Sequence, residues 1–209
     1  MKDRVLLDND IVIKSLCYKI AEEMIAATTV GDSPPEMLSV GKYVALSRTM
    51  SLGCVDRQSD ADHVFNKVTF VDPSDKEVEI AATLESKAVE QNLELDTGES
   101  QLLAILICRS KRYLATGDKR AIIAVSSIDP DSYQNKILCF EQIILGILSK
   151  IEFAYIQNNI RNKLGIDKAI TICFGKYTPN SEEDVKKALA SYIEDLRSKT
   201  RDVLIAEPQ

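Results

Sequence analysis

Histidine is all but missing from this chain of 209 residues: His63 is the single one. A zinc site of the usual His/Cys kind therefore has almost nothing to draw on. A Ser–His–Asp triad would have to run through His63 itself, in the polar stretch SDADHVF. The five cysteines, Cys17, Cys54, Cys108, Cys139 and Cys173, contain no CxxC pair. Most lie inside apolar runs and read as small buried hydrophobes in a reducing compartment. Basic residues do not dominate either, with 26 Lys and Arg against 32 Asp and Glu, a formal net charge of −6. That balance speaks against a protein that coats nucleic acid with its whole surface, but it leaves room for an enzyme with a local basic rim. Long hydrophobic runs are absent: IILGILSKIEFAYI is interrupted by Lys150 and Glu152, so no membrane span is expected. The opening MKDRVLLDND carries acids too early for a signal peptide. No internal repeat or low-complexity segment is evident.

What the chain has is an ordinary globular composition, 45% hydrophobic and 28% charged, enough for a core that needs no metal or disulfide to fold. RVLL, KVTFV, RYLAT and KILCF are short apolar or β-branched runs and predict strands. Between them, helical spacing marks IVIKSLCYKIAEEMIAA, MLSVGKYVALSRTM, DADHVFNK, KEVEIAATLESKAVEQNL, ESQLLAILICRSK and DKRAIIAVSS. GDSPPEM reads as a breaker. EQIILGILSKIEFAYIQNNIRNKLG predicts one long helix, and SEEDVKKALASYIEDLRSK a last charged one, opened by Ser181 and three acids. The stripe Val185, Leu189, Tyr192, Ile193 and Leu196 would pack that helix on the core.

Alternating strands and helices predict a parallel sheet covered on both faces, with the working crevice beyond the carboxyl ends of the strands. Each predicted strand delivers an acid to that edge: Asp8 after RVLL, Asp72 after KVTFV, Asp118 after RYLAT and Glu141 after KILCF. Any one of them reads equally as a helix cap or turn residue. Several together repel one another unless a cation or a shared proton offsets them.

The stretch LELDTGESQLLAILICRSKRYLATGDKRAI puts Glu99 at the start of a helix and Asp118 after the following strand, with Thr116 in a T-x-D arrangement. With the early LLDND, this order resembles the PIN-domain nucleases over roughly residues 4 to 141. The resemblance implies a three-layer α/β/α PIN-like fold with a central parallel sheet, a nuclease domain at 1–145 and extra C-terminal helices at 146–209. It implies that Asp8, Glu99 and Asp118 hold Mg²⁺ or Mn²⁺, with Glu141 in the place of a fourth acid. Asp10 takes the position where the family often has a small supporting Asn or Ser. Single-stranded RNA is the implied substrate, toxin, defence factor or RNA-processing enzyme the implied settings, and the cytoplasm the implied compartment. Asp96-Thr97-Gly98-Glu99 is also a capping box in its own right.

An all-carboxylate donor set suits a hard cation that keeps part of its water shell. Lys119 and Arg120 fall on the correct edge to meet phosphate, whereas Arg109, Lys111 and Arg112 precede the strand and belong to the far edge. No aromatic interleaving marks base stacking. Two other classes compete. DNDIV fits the DxDx(T/V) pattern of haloacid-dehalogenase-like phosphatases, but the later GDxxxD acid pair is broken by Ile122. The other is a catalytically inactive PIN-like interaction module, whose C-terminal helices would bind a partner subunit, an antitoxin-like inhibitor or a second copy of the chain.

Overall fold

The computed structural model describes residues 4–56 and 58–206; the ends of the expected 1–145 and 146–209 division, at 1–3 and 207–209, lie outside them. Five strands, β1 (Val5–Leu7), β2 (Glu36–Leu38), β3 (Thr69–Val71), β4 (Tyr113–Thr116) and β5 (Ile137–Cys139), form one sheet. All pairings are parallel and the order is β3-β2-β1-β4-β5. Successive strand residues face opposite sides. Val5, Leu7, Met37, Ala115 and Leu138 enter one hydrophobic core, while Leu6, Leu38, Leu114 and Ile137 enter the other. Helices cover both faces, as the alternating pattern predicts. The first core is closed by α1 (Asn9–Cys17), α2 (Ala21–Thr28), α3 (Ser39–Ser51), α4 (Ser59–Phe65) and α8 (Phe140–Leu148). The second is closed by α5 (Asp75–Glu90), α6 (Thr97–Cys108) and α7 (Lys119–Ile128). Three further helices, α9 (Phe153–Arg161), α10 (Lys168–Cys173) and α11 (Glu182–Lys199), complete the chain. None of the helices is long and apolar enough to cross a membrane among the described residues.

The region after residue 145 is built into both cores. Helix α11 sends Val185 and Leu189 into the first and Ile193 and Leu196 into the second, with Tyr192 half-buried beside them. Beyond it, Leu204 makes a parallel bridge to Ile137, extending the sheet past β5.

Four local expectations need correction. The segment GDSPPEM is not only a breaker, because Glu36–Leu38 is a buried central strand. Its first residue is a glutamate, 5% exposed, neutralised by Arg4 at 3.1 Å and Lys111 at 2.6 Å. A buried charge of this kind is tolerated only when paired. The first helical run is two helices: Lys19 adopts φ +54 after Tyr18, and the Ile20 N–H donates to the Ser15 carbonyl, a Schellman-type stop made without glycine. The long helix predicted from Glu141 is likewise two, α8 and α9, interrupted at residues 149–152 so that Ile156 and Ile160 turn into the core. Finally, two of the cysteines are not lone hydrophobes. Cys17 at the end of α1 and Cys54 beyond α3 form a disulfide, with Cα atoms 4.8 Å apart, and Cys108 is exposed.

Candidate functional site: an acid-lined crevice at the switch point

Strand order reverses between β1 and β4. From β1 the chain moves outward through β2 and β3, then returns to lay β4 and β5 on the other side. The connections leaving β1 and β4 therefore diverge, opening a crevice at their carboxyl ends, where α/β proteins place their ligands. Leu7 is in register with Ala115, and the Asp8 N–H donates to the Ala115 carbonyl at 2.9 Å. Asp8 and the segment Thr116-Gly117-Asp118 are thus placed side by side by the sheet itself.

Asp8 occupies the N-cap position of α1, yet its side chain makes no cap hydrogen bond. It turns instead to Thr116, whose hydroxyl donates to Oδ2 at 2.9 Å. The same hydroxyl accepts from the Asp118 N–H at 3.1 Å, so Thr116, 3% exposed, ties the two acids together. Asp8 is 7% exposed. Burial, then the charge of Asp10, push its carboxyl up to about 7, against the opposing pull of the Thr116 hydroxyl.

Glu99 comes from the first turn of α6 and is equally buried, at 7% exposure. The capping box does form: the Asp96 N–H donates to Glu99 Oε2 at 2.9 Å, and the Glu99 N–H to Asp96 Oδ1 at 2.8 Å. Capping does not relieve the charge. Burial first, and then Asp96, Asp8 and Asp118, push Glu99 up to about 8, although the Asp96 N–H works the other way. Among the described residues neither Asp8 nor Glu99 has an ion-pair partner; the charge of Arg120, on the same cleft, acts on Glu99 only from a distance. The two line one narrow cavity with Thr116, closed below by Leu102, Leu114 and Ile122. Its free volume of about 10 Å³ is at the threshold for one water.

Asp118 stands at the adjoining rim. It is the N-cap of α7, accepting from the Arg120 N–H at 2.8 Å, and the Arg120 guanidinium lies against its carboxylate at 2.8 Å. Against a burial penalty, these contacts hold its pKa below the usual aspartate value. Arg120 also reaches Glu94 at 2.6 Å. Glu94, Asp96, Glu99, Asp118 and Arg120 line an open cleft of about 340 Å³, which shares Glu99 with the inner cavity.

The remaining predicted residues are placed elsewhere around this centre. Glu141, 2% exposed in the first turn of α8, is paired with Lys119 at 2.6 Å and does not line the Asp8–Glu99 cavity. Lys119 also lies over the Tyr192 ring at 4.8 Å. The lysine and arginine expected to meet phosphate are thus engaged with acids of the chain. Asp10 faces Lys14 at 2.6 Å, the two lying against Gly117. Asp72, after β3 at the sheet margin, accepts from the Ser39 hydroxyl. Arg109 and Lys111 serve Glu77 and Glu36, not the crevice. His63 is half-exposed on α4 beside Glu22.

Two residues of this neighbourhood escaped the sequence reading. Lys14 is a lone cation in the apolar run IVIKSLC, four residues after Asp10, a spacing that announces an ion pair. Asp167 reaches it at 2.7 Å from the start of α10. Its signal was an Asp ahead of the apolar run KAITIC, an N-cap pattern.

Among the described residues no three His, Cys, Asp or Glu side chains converge closely enough to hold a metal as they stand. The donor chemistry nevertheless suits a hard cation: two buried carboxylates without an ion-pair partner among the described residues, and a third, Asp118, whose release requires Arg120 to turn away.

What the fold and the crevice define is a class: an α/β protein with a five-stranded parallel sheet and an acid-lined cleft at its switch point. Comparison with known proteins adds no family, since no family model, curated protein or solved structure matches the chain.

Proposed function

We propose that this protein is a metal-dependent ribonuclease of PIN-like type, hydrolysing phosphodiester bonds of single-stranded RNA. The observation that carries the reading is the pair Asp8 and Glu99, two carboxylates buried in one cavity with no ion-pair partner among the described residues. Burying such groups destabilises a fold, and like charges kept close mark a place where a ligand offsets them. Asp8, Glu99 and Asp118 would hold Mg²⁺ or Mn²⁺. Once bound, the ion supplies a water of lowered pKa and positive charge beside a phosphate oxygen. Thr116 fixes the Asp8 carboxylate and the Asp118 backbone together. Arg120, more than half exposed, exchanges Asp118 and Glu94 for a phosphate of the RNA, and Lys119, next in sequence to Asp118, would have to leave Glu141 to join it. The open cleft over Glu99 and Asp118 gives the strand its path.

Cleavage of end-labelled single-stranded RNA, with and without Mn²⁺, tests the reading on wild type and Asp118→Asn. The expected result is cleavage by wild type that needs Mn²⁺ and falls on the order of 10²-fold or more in the variant. Equal cleavage by both proteins would overturn it. The proposed compartment is the cytoplasm, where the Cys17–Cys54 disulfide described above would be opened to two thiols. Thiol labelling of freshly isolated protein should then find both reactive after mild unfolding.

A second reading, a non-catalytic interaction module, is favoured by one observation: Asp118 and Glu141 are already neutralised by Arg120 and Lys119. Failure to bind Mn²⁺ would select it. A haloacid-dehalogenase-like phosphatase lacks support, because the position where its second acid belongs is Ile122, 1% exposed in the core.

A further inference from the structure

Beside the acid pair lies a second group of oxygens that is already filled. Lys14 projects from α1 into it and is 7% exposed. Its ammonium lies 2.6 Å from Asp10 Oδ2, 2.7 Å from Asp167 Oδ2 and 3.4 Å from the Gly117 carbonyl. The ammonium is ion-paired with both carboxylates and donates a hydrogen bond to the Gly117 carbonyl. Its inner side is covered by the Phe140 ring, 5.5 Å from the nitrogen to the centroid. Asp167 is held for this purpose from two directions. Its carboxylate accepts from the Ile170 N–H at 2.9 Å, and its own N–H donates to the Tyr18 hydroxyl at 3.0 Å.

Gly117 is shaped to the arrangement. Its φ is not positive, so turn geometry does not demand glycine. A Cβ there would collide with Asp10 Oδ2 and stand 2.6 Å from the Lys14 nitrogen. Any larger residue would push the carboxylate and the ammonium from their present places against the backbone between Thr116 and Asp118. Two carboxylates and a carbonyl around one positive charge, next to an acid pair at a sheet's switch point, form the surroundings a second divalent ion would need in a two-ion phosphodiesterase site.

We propose that the Lys14 ammonium fills that place as a fixed part of the chain, so that the crevice takes up one divalent ion and not two. This rests on the metal-dependent reading above. Lys14 is a positioning residue: it holds Asp10 and Asp167 away from the metal and braces the Thr116–Gly117–Asp118 segment against α1. The C-terminal region thereby contributes Asp167 to the site.

The test is a count of bound Mn²⁺ per chain, from the electron paramagnetic resonance signal of the free ion, on wild type, Asp8→Asn and Lys14→Met. The expected result is one ion on wild type, none on Asp8→Asn and two on Lys14→Met. Two ions on wild type, or a folded Lys14→Met that still binds one, would overturn the proposal and leave the metal-dependent reading intact. No ion on wild type would end that reading and this proposal with it. Should Lys14→Met not fold, the wild type decides by the ¹⁵N signal of its buried ammonium under saturating Mg²⁺. A retained signal supports the assignment, and loss of the signal refutes it.

Discussion

Glu77 and Glu99 are two glutamates in the same local setting with opposite fates. Each is the third residue of a helix on the same face of the sheet, each belongs to a capping box, and each is buried, at 3% and 7% exposure. Glu77 accepts from the Ser74 N–H at 2.8 Å, as Glu99 does from Asp96. The difference is Arg109. Its guanidinium grips Glu77 with bonds of 2.8 and 2.7 Å, and the carboxyl sinks to about 2. Glu99 has no such partner: burial first, and then the acids Asp96, Asp8 and Asp118, raise it to about 8. Capping therefore accounts for the backbone around Glu99 but not for its missing counter-charge. Stability alone would favour an arrangement like that of Glu77, and departures of this kind concentrate at working sites.

Breaking the comparison by activity should give the largest effect. Glu99→Gln should lower RNA cleavage on the order of 10²-fold or more, while Glu77→Gln should leave cleavage per folded molecule unchanged. Gel assays normalised to folded protein check both. Next comes stability in metal-free buffer at pH 8, read by urea unfolding. Glu77→Gln removes a buried, bidentate charge partner and should cost about 2–4 kcal/mol. Glu99→Gln removes an uncompensated charge and should gain about 1–3 kcal/mol.

The pH dependences should then run in opposite directions. Glu77, depressed to about 2, adds stability above its unfolded pKa, and this is lost as pH falls from about 4.5 toward 2. Asp8 and Glu99, raised to about 7 and about 8, keep protons in the folded state that the unfolded chain has released. Metal-free protein should therefore lose stability between about pH 5 and pH 8, with the loss reduced in Asp8→Asn and reduced further in the double variant with Glu99→Gln. A flat profile for wild type would contradict the electrostatics described for the crevice. The smallest effect belongs to Thr116→Val. It removes the hydroxyl between Asp8 and Asp118, should cost about 1 kcal/mol, and should move the Asp8 titration upward as followed by carboxyl ¹³C shifts.

How far the sequence spoke depended on whether the deciding contact was local. Strands β1, β3, β4 and β5 were readable from apolar runs, and the acids behind them from the rule that places ligands at strand carboxyl ends. β2 was not, because Pro34, Pro35 and Glu36 signal a loop. Only the distant Arg4 and Lys111 make a buried glutamate acceptable there. Nor was the stop after α1, where lysine takes the left-handed position usually given to glycine. The Cys17–Cys54 pair joins residues 37 apart and depends on how α1 packs against α3. In the crevice, Asp8, Thr116, Glu99 and Asp118 follow strand and helix ends and were found. Glu141 obeyed the same rule, yet Lys119 closes it off. Lys14 and Asp167 are 153 residues apart, and no local pattern pairs them.

The most direct measurement is a crystal structure of the protein grown with Mn²⁺ and recorded at the manganese absorption edge. The account predicts a single anomalous peak bounded by Asp8, Glu99 and Asp118, with Arg120 turned out of its contact with Asp118. An empty crevice at saturating Mn²⁺, or a peak only among surface acids such as Glu22 and Glu23, would contradict it.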